Sequence, residues 1–165
     1  MQLWNTYSKE ELEQRLREAG HHFVTVSFYK YHQISNPQLF RDYLYQLLDT
    51  NGVVGRIYVA SEGINAQISV PTDQFNQFKD DLYSIDFLNE VRLNIAVEEA
   101  GVPFPFLKLK VKVRNKILAD GLNDQTFDVT NIGKHLKAEE FNALTNDPNT
   151  ILIDFRNHYE HEVGH

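Results

Sequence analysis

From Leu107 to Lys116 the chain reads Leu-Lys-Leu-Lys-Val-Lys-Val-Arg-Asn-Lys, with a basic residue at every second position. On a strand, Lys108, Lys110, Lys112, Arg114 and Lys116 share one face, about 6.6–6.8 Å apart. Such a row can track a nucleic-acid backbone, with Phe104 and Phe106 as stacking surfaces. The plainer account is an edge strand whose lysines discourage aggregation. A second stretch, Ala60-Ser61-Glu62-Gly63-Ile64-Asn65-Ala66, places a carboxylate and an amide around a glycine. Gly63 permits positive φ and the close approach of another backbone or a ligand. Glu62 and Asn65 can then bind a base edge or orient a partner segment. Against this stands a simple hairpin turn, with Gly and Asn chosen for geometry. A third group is His158, His161, Glu162 and His165, which on a helix fall along one face and can build a metal site. Nothing else there marks a helix. No Ser-His-Asp arrangement, phosphate-cradling loop or dinucleotide fingerprint is present.

The elements that must position these residues are well punctuated. Ser8 and Glu11 fit a capping box, Leu12, Leu16 and Ala19 make an apolar stripe, and Gly20 is a stop. His22 to Tyr29 is rich in β-branched and aromatic residues and reads as a strand. Asn36-Pro37 opens a helix with Leu39, Phe40, Tyr43, Leu44, Leu47 and Leu48 at helical spacing, ended by Asn51-Gly52. Val53–Ala60 and Ile64–Val70 are strands joined by a tight link, an antiparallel hairpin. Thr72 is expected to cap a helix with Phe75, Phe78, Leu82 and Tyr83 on its apolar face, and Val91–Val97 is a fourth strand. The order strand–helix–strand–strand–helix–strand is that of the ferredoxin-like split βαβ, an α+β fold with an antiparallel sheet and two helices on one face. In an acylphosphatase of that fold the first strand leads into a glycine-rich loop bearing an arginine. Here residues 29–36 contain neither, which argues against that activity.

Four segments follow: an N-terminal helix (1–21), the ferredoxin-like domain with its basic strand extension (22–118), a linker with a short helix at 138–144 (119–149), and a final segment (150–165). In the last, Thr150-Ile151-Leu152-Ile153-Asp154-Phe155-Arg156-Asn157 reads as a buried strand running into a polar turn. It is expected to open a second, α/β domain that the chain does not complete.

Composition narrows the function classes. Hydrophobic residues at 42% and charged residues at 24% are those of a globular protein. A net charge of −7 argues against indiscriminate coating of nucleic acid, though it allows a local basic groove. With no cysteine there is no disulfide framework, thiolate zinc site or thiol nucleophile in these residues. Neither a run of about 18 apolar residues nor a signal-peptide pattern occurs, so no membrane role and a cytoplasmic location are expected.

Together, Phe28-Tyr29-Lys30, the stretch Gly55 to Ala66, Phe106 to Lys112 and the segment Ile153 to Glu160 resemble the rhodanese-domain tRNA uridine hydroxylases. The resemblance runs from about residue 22 onward. It implies a ferredoxin-like domain followed by a rhodanese domain, which residues 150–165 would begin. The activity it implies for the full-length family is an oxygen-dependent hydroxylation at C5 of the wobble uridine, position 34, of tRNA. Molecular oxygen would be co-substrate and tRNA the partner. The family's essential cysteine would lie beyond this chain, leaving no catalytic residue and no cofactor here. Lys108, Lys110, Lys112, Arg114 and Phe106 become candidate RNA contacts, and Glu62, Gly63 and Asn65 the hairpin motif. Asp154, Arg156, Tyr159 and Glu160 become structural residues of the rhodanese domain, an Asp–Arg pair at a strand tip being able to brace a loop. No metal is implied at the terminal histidines. Lys116 departs from the family, where a glutamate is expected before Ile117. The alternative, from another class, is a non-catalytic ferredoxin-like protein-interaction module. A rhodanese-type sulfur transfer in the full-length protein is a third reading, and this chain has no thiol to carry the persulfide.

Overall fold

The computed structural model describes residues 6–20, 22–96, 105–118, 128, 131 and 133–154. They belong to two compact units, Met1–Thr130 and Asn131–His165.

In the first unit, α1 (Lys9–Ala19) is bounded as its sequence predicts. The Glu11 N–H donates to Ser8 Oγ at 3.2 Å, the Ser8 N–H donates to the Glu11 carboxylate at 2.8 Å, and Gly20 ends the helix at φ 62°. Next come β1 (Phe23–Tyr31), α2 (Pro37–Thr50), β2 (Val54–Ala60), β3 (Gly63–Pro71) and α3 (Phe75–Tyr83). Asn36 caps α2 by accepting the Leu39 N–H at 3.0 Å. The expected Thr72 cap on α3 is not made. Thr72 lies in a 3-10 turn, and its hydroxyl donates instead to the His22 carbonyl at 2.9 Å.

Two expectations about the sheet are corrected. The fourth strand, β4, is only Asn94–Ile95, because Val91 is still held in a turn through its N–H to Leu88. And the sheet has a fifth strand, β5 (Leu109–Val113), giving the order β4-β1-β3-β2-β5. All pairings are antiparallel except β2 with β5, which run parallel in the register Gly55↔Leu109 to Val59↔Val113. In the four-strand arrangement β2 is an edge with apolar residues on its inner face. Adding β5 pairs that edge and buries Leu109 and Val111.

One face of the sheet carries the core. Val26 and Phe28 of β1, Ile57 and Val59 of β2, and Ile64, Ala66, Ile68 and Val70 of β3 pack with Leu44 and Leu48 of α2 and Phe78 and Leu82 of α3. Each large side chain buried this way contributes about 1.5–3 kcal/mol. The α2 stripe is narrower than its sequence suggests, since Leu39 and Tyr43 remain exposed and Tyr45 takes a buried place. Burial, opposed only weakly by the Arg41 charge, pushes the Tyr45 hydroxyl above its ordinary pKa, with Asp49 adding to the rise.

In the second unit, α4 (Ala138–Thr145) matches the predicted short helix. The buried strand expected from Thr150 is not formed by the described residues. Ile151, Leu152 and Ile153 are 84%, 65% and 63% exposed, with no strand pairing. An extended apolar segment becomes a strand only when a neighbour takes its hydrogen bonds and covers its faces, and among the described residues none does. Asp154 is exposed, while Arg156, Tyr159, Glu160 and the terminal histidines lie outside the described residues.

Candidate nucleic-acid interface

The sheet face away from the helices is built by the strand period of two. Register aligns its residues in rows across the strands. One row runs Tyr29–Asn65–Tyr58–Lys112, and the next Ser27–Gln67–Arg56–Lys110. None of the five strands contains an Asp or Glu, in a chain with 23 acidic residues. Asp42, Asp49, Asp80 and Asp81 sit instead on α2 and α3, and Glu62 on the turn between β2 and β3. The strands themselves therefore carry none of the acidic residues.

The basic alternation of β5 is realised. Leu109 and Val111 point into the core, Lys110, Lys112 and Arg114 are exposed, and Lys108 and Lys116 are half-buried. The plainer account also holds in part, since β5 is an edge strand. In the parallel pair, Gly55 N–H donates to Lys108 O at 3.0 Å and Arg114 N–H to Val59 O at 2.8 Å. The even-numbered residues thus bond β2, and the carbonyl of Val111 faces the outer edge. There Arg41 of α2 reaches it, Nε to carbonyl, at 2.9 Å. A helix cation thereby covers one acceptor of the edge and ties the basic strand to the core.

Glu62 and Asn65 of the hairpin hold a segment of the chain itself. Ile117, which follows the basic strand, is 2% exposed, and both of its backbone groups are held by the hairpin. Its N–H donates to Glu62 Oε1 at 2.8 Å, and its carbonyl accepts from Asn65 Nδ2 at 3.2 Å. Gly63 stands at φ 149°, opposite Tyr31, where a Cβ would lie 2.2 Å from the Lys30 carbonyl oxygen. Close approach of another backbone is thus the reason for the glycine. Glu62 and Asn65 thus clasp the chain leaving β5, three residues beyond Arg114.

Three residues of this face were not singled out as site residues from sequence: Tyr29, Arg56 and Tyr58. Arg56 donates to Gln67 Oε1 at 2.8 Å. The guanidinium carbons of Arg56 and Arg114 lie 5.7 and 5.2 Å from the Tyr58 ring centroid, within cation–π range. Tyr29 is 58% exposed and meets Tyr31 edge-on at 6.2 Å. The signal was the alternation in β2, where Arg56 and Tyr58 occupy consecutive outward positions. Phe106 joins the same face, lining with Thr25, Ser27, Gln67 and Asn94 a cavity of about 310 Å³. Phe104 lies outside the described residues.

The opposite end of β1 offers a larger hollow, about 840 Å³, lined by Lys30, His32, Phe40, Tyr43, Asp86 and Phe87. His32 stacks on Phe87 with centroids 4.4 Å apart. Of the loop amides that could cradle a phosphate here, His32 N–H is given to Glu62 O and Ile34 N–H to Ser61 O. With no glycine or arginine in the loop, the anion cradle of an acylphosphatase is not built.

Comparison with known proteins agrees with this architecture. Residues 23–117 match the model of a family described as the UPF0176 acylphosphatase-like domain. A protein of Pectobacterium carotovorum subsp. carotovorum named tRNA uridine(34) hydroxylase is 51% identical over 164 residues, covering 99% of this chain and 46% of that protein. A protein of Leptospira interrogans with the same name is 50% identical over 163 residues, covering 99% of this chain and 44% of its own length. One of Salmonella typhimurium, again so named, is 49% identical over 164 residues, 99% of this chain and 46% of that protein. The chain spans less than half the length of these relatives.

Proposed function

The chain belongs to the UPF0176 acylphosphatase-like domain family, and from that membership we propose that it is the N-terminal part of a tRNA-modifying enzyme that hydroxylates C5 of uridine 34. The observation that carries the reading is the identity of about half, sustained over 99% of this chain, with proteins named tRNA uridine(34) hydroxylase. The sheet supports a division of labour. These residues hold no cysteine, so a thiol-dependent step falls to none of them. What they offer is a cationic face without strand carboxylates, suited to RNA phosphates, and a clasp that orients the chain leaving it. Molecular oxygen as co-substrate and a cytoplasmic location belong to the same proposal. Among the described residues no helix is long and apolar enough to cross a membrane.

The test is titration of tRNA with the wild-type chain and with a Lys108→Ala/Lys110→Ala/Lys112→Ala variant across a salt series. The wild type binds with a steep salt dependence, and the variant binds more weakly. Each lost phosphate contact lowers the slope of log K against log salt by about 0.7–0.9. Coinciding titrations remove the RNA-facing role. Affinity for a protein partner without tRNA affinity at low salt favours the interaction-module reading instead.

A further inference from the structure

We propose that Tyr29 and Tyr58, with Arg56 beside them, form a stacking platform for unpaired nucleobases, so that this face takes a single-stranded RNA loop rather than a duplex. The inference rests on the RNA-binding reading above and adds to it the class of RNA and the residues that select it.

The two tyrosines share one cross-strand row, flanking Asn65 of β3, whose side-chain amide donates to the Ile117 carbonyl at 3.2 Å and so is not itself part of the platform. Two strand spacings put their Cα positions about 9.4–9.8 Å apart. Bases stacked in a helix follow one another at about 3.4 Å, so neighbours in a duplex cannot each meet a tyrosine. Bases splayed from an unpaired segment can. An A-form duplex also covers the faces of its bases and closes its major groove to side chains, leaving phosphates and 2′-hydroxyls as the accessible surface. Tyr29 presents a ring that is 58% exposed. Tyr58 is half-buried, with the guanidinium carbons of Arg56 and Arg114 at 5.7 and 5.2 Å from its ring centroid, and a guanidinium plane can itself stack on a base. Lys112 ends the tyrosine row, and Lys110 ends the row of Arg56, placing cations along one border of the platform. Charge complementarity selects the occupant: no strand carboxylate is present to repel a phosphate or to attract a basic peptide.

The experiment compares binding of a short unpaired oligouridine and of a blunt-ended RNA duplex with equal phosphate number to the full chain. Wild type, Tyr29→Leu, Tyr29→Phe, Tyr58→Leu and the lysine triple variant are titrated, after thermal melts confirm folding. Wild type favours the oligouridine. Each leucine variant weakens that binding by about 5- to 100-fold, the loss of one stacked base. Duplex affinity and salt slope stay at the wild-type values, and Tyr29→Phe retains the binding. The lysine variant lowers affinity for both RNAs together with the slope. Unchanged oligouridine affinity in both leucine variants, with the lysine loss intact, overturns the platform and leaves the functional reading standing. Equal wild-type affinity for duplex and oligouridine overturns the selectivity. If the wild type binds neither RNA, both readings fall. Should Tyr58→Leu fail to fold, exposed Tyr29 decides the matter alone.

Discussion

Replacing Glu62 by Ala tests whether the hairpin clasps the chain that leaves the basic strand. The Ile117 N–H, on a residue 2% exposed, has the Glu62 carboxylate at 2.8 Å, and its carbonyl has Asn65 Nδ2 at 3.2 Å. A hydrogen bond to a charged acceptor contributes about 1.5–3 kcal/mol, and a buried donor left unpaired costs about 1–3 kcal/mol. Because the Glu62 bond is only partly buried, the expected loss for Glu62→Ala is in the lower part of that range, about 1–2 kcal/mol. Glu62→Gln keeps an acceptor oxygen without the charge and loses about half as much. Both side chains close the same peptide segment, so Glu62→Ala and Asn65→Ala couple non-additively, by about 0.5 kcal/mol or more. Urea unfolding reads the loss as a lowered midpoint at constant m, and hydrogen exchange reads it locally as a faster Ile117 amide. RNA affinity falls with it, toward the value of Arg114→Ala, because Arg114 lies three residues before the clasped Ile117. A Glu62→Ala protein with an unchanged midpoint and unchanged Ile117 exchange would refute the clasp.

Other expectations follow from the same geometry. Gly63→Ala forces a Cβ to 2.2 Å from the Lys30 carbonyl oxygen at φ 149°, and should cost at least about 1–3 kcal/mol of backbone strain. A melting temperature equal to wild type would contradict that close approach. Arg41→Met removes the cation on the Val111 carbonyl and should cost about 1–2 kcal/mol, with faster exchange in β5 ahead of the other strands. Uniform exchange would show that Arg41 does not hold the edge. The Ser8 backbone N–H, with its hydroxyl, holds the Glu11 carboxyl below its ordinary pKa. A lowered folded pKa gives stability that is present above the unfolded value and lost as pH falls through the folded value. The start of α1 should therefore fray on acidification, seen as a shift of the Ser8 amide resonance, and Glu11→Gln should abolish that pH dependence.

Much of the fold is legible in the sequence because it is written in local terms. The capping box at Ser8, the Asn36-Pro37 helix start and the Gly63 hairpin bring their partners within a few residues. The alternation from Lys108 to Arg114 likewise predicts which β5 residues lie outward. Of the candidate site, the basic strand and the hairpin residues Glu62, Gly63 and Asn65 stood out in the sequence, whereas Tyr29, Arg56 and Tyr58 did not. Tyr29 and Tyr58 come to share a row, with Arg56 in the next one, only through the β1–β3–β2 register, which brings Tyr29 opposite Asn65, 36 positions away.

By itself, then, the sequence determined the order of elements, the face of each strand that meets the core, and a family resemblance that the comparisons uphold. Tertiary structure alone decided that β5 pairs with β2 in parallel, because such pairing depends on which sheet edge is left uncovered. It decided that Glu62 and Asn65 spend their hydrogen bonds on Ile117, a residue 52 or more positions away. Short-range signals are carried by the chain itself; long-range pairing is settled by the competition among edges and apolar faces in the assembled sheet.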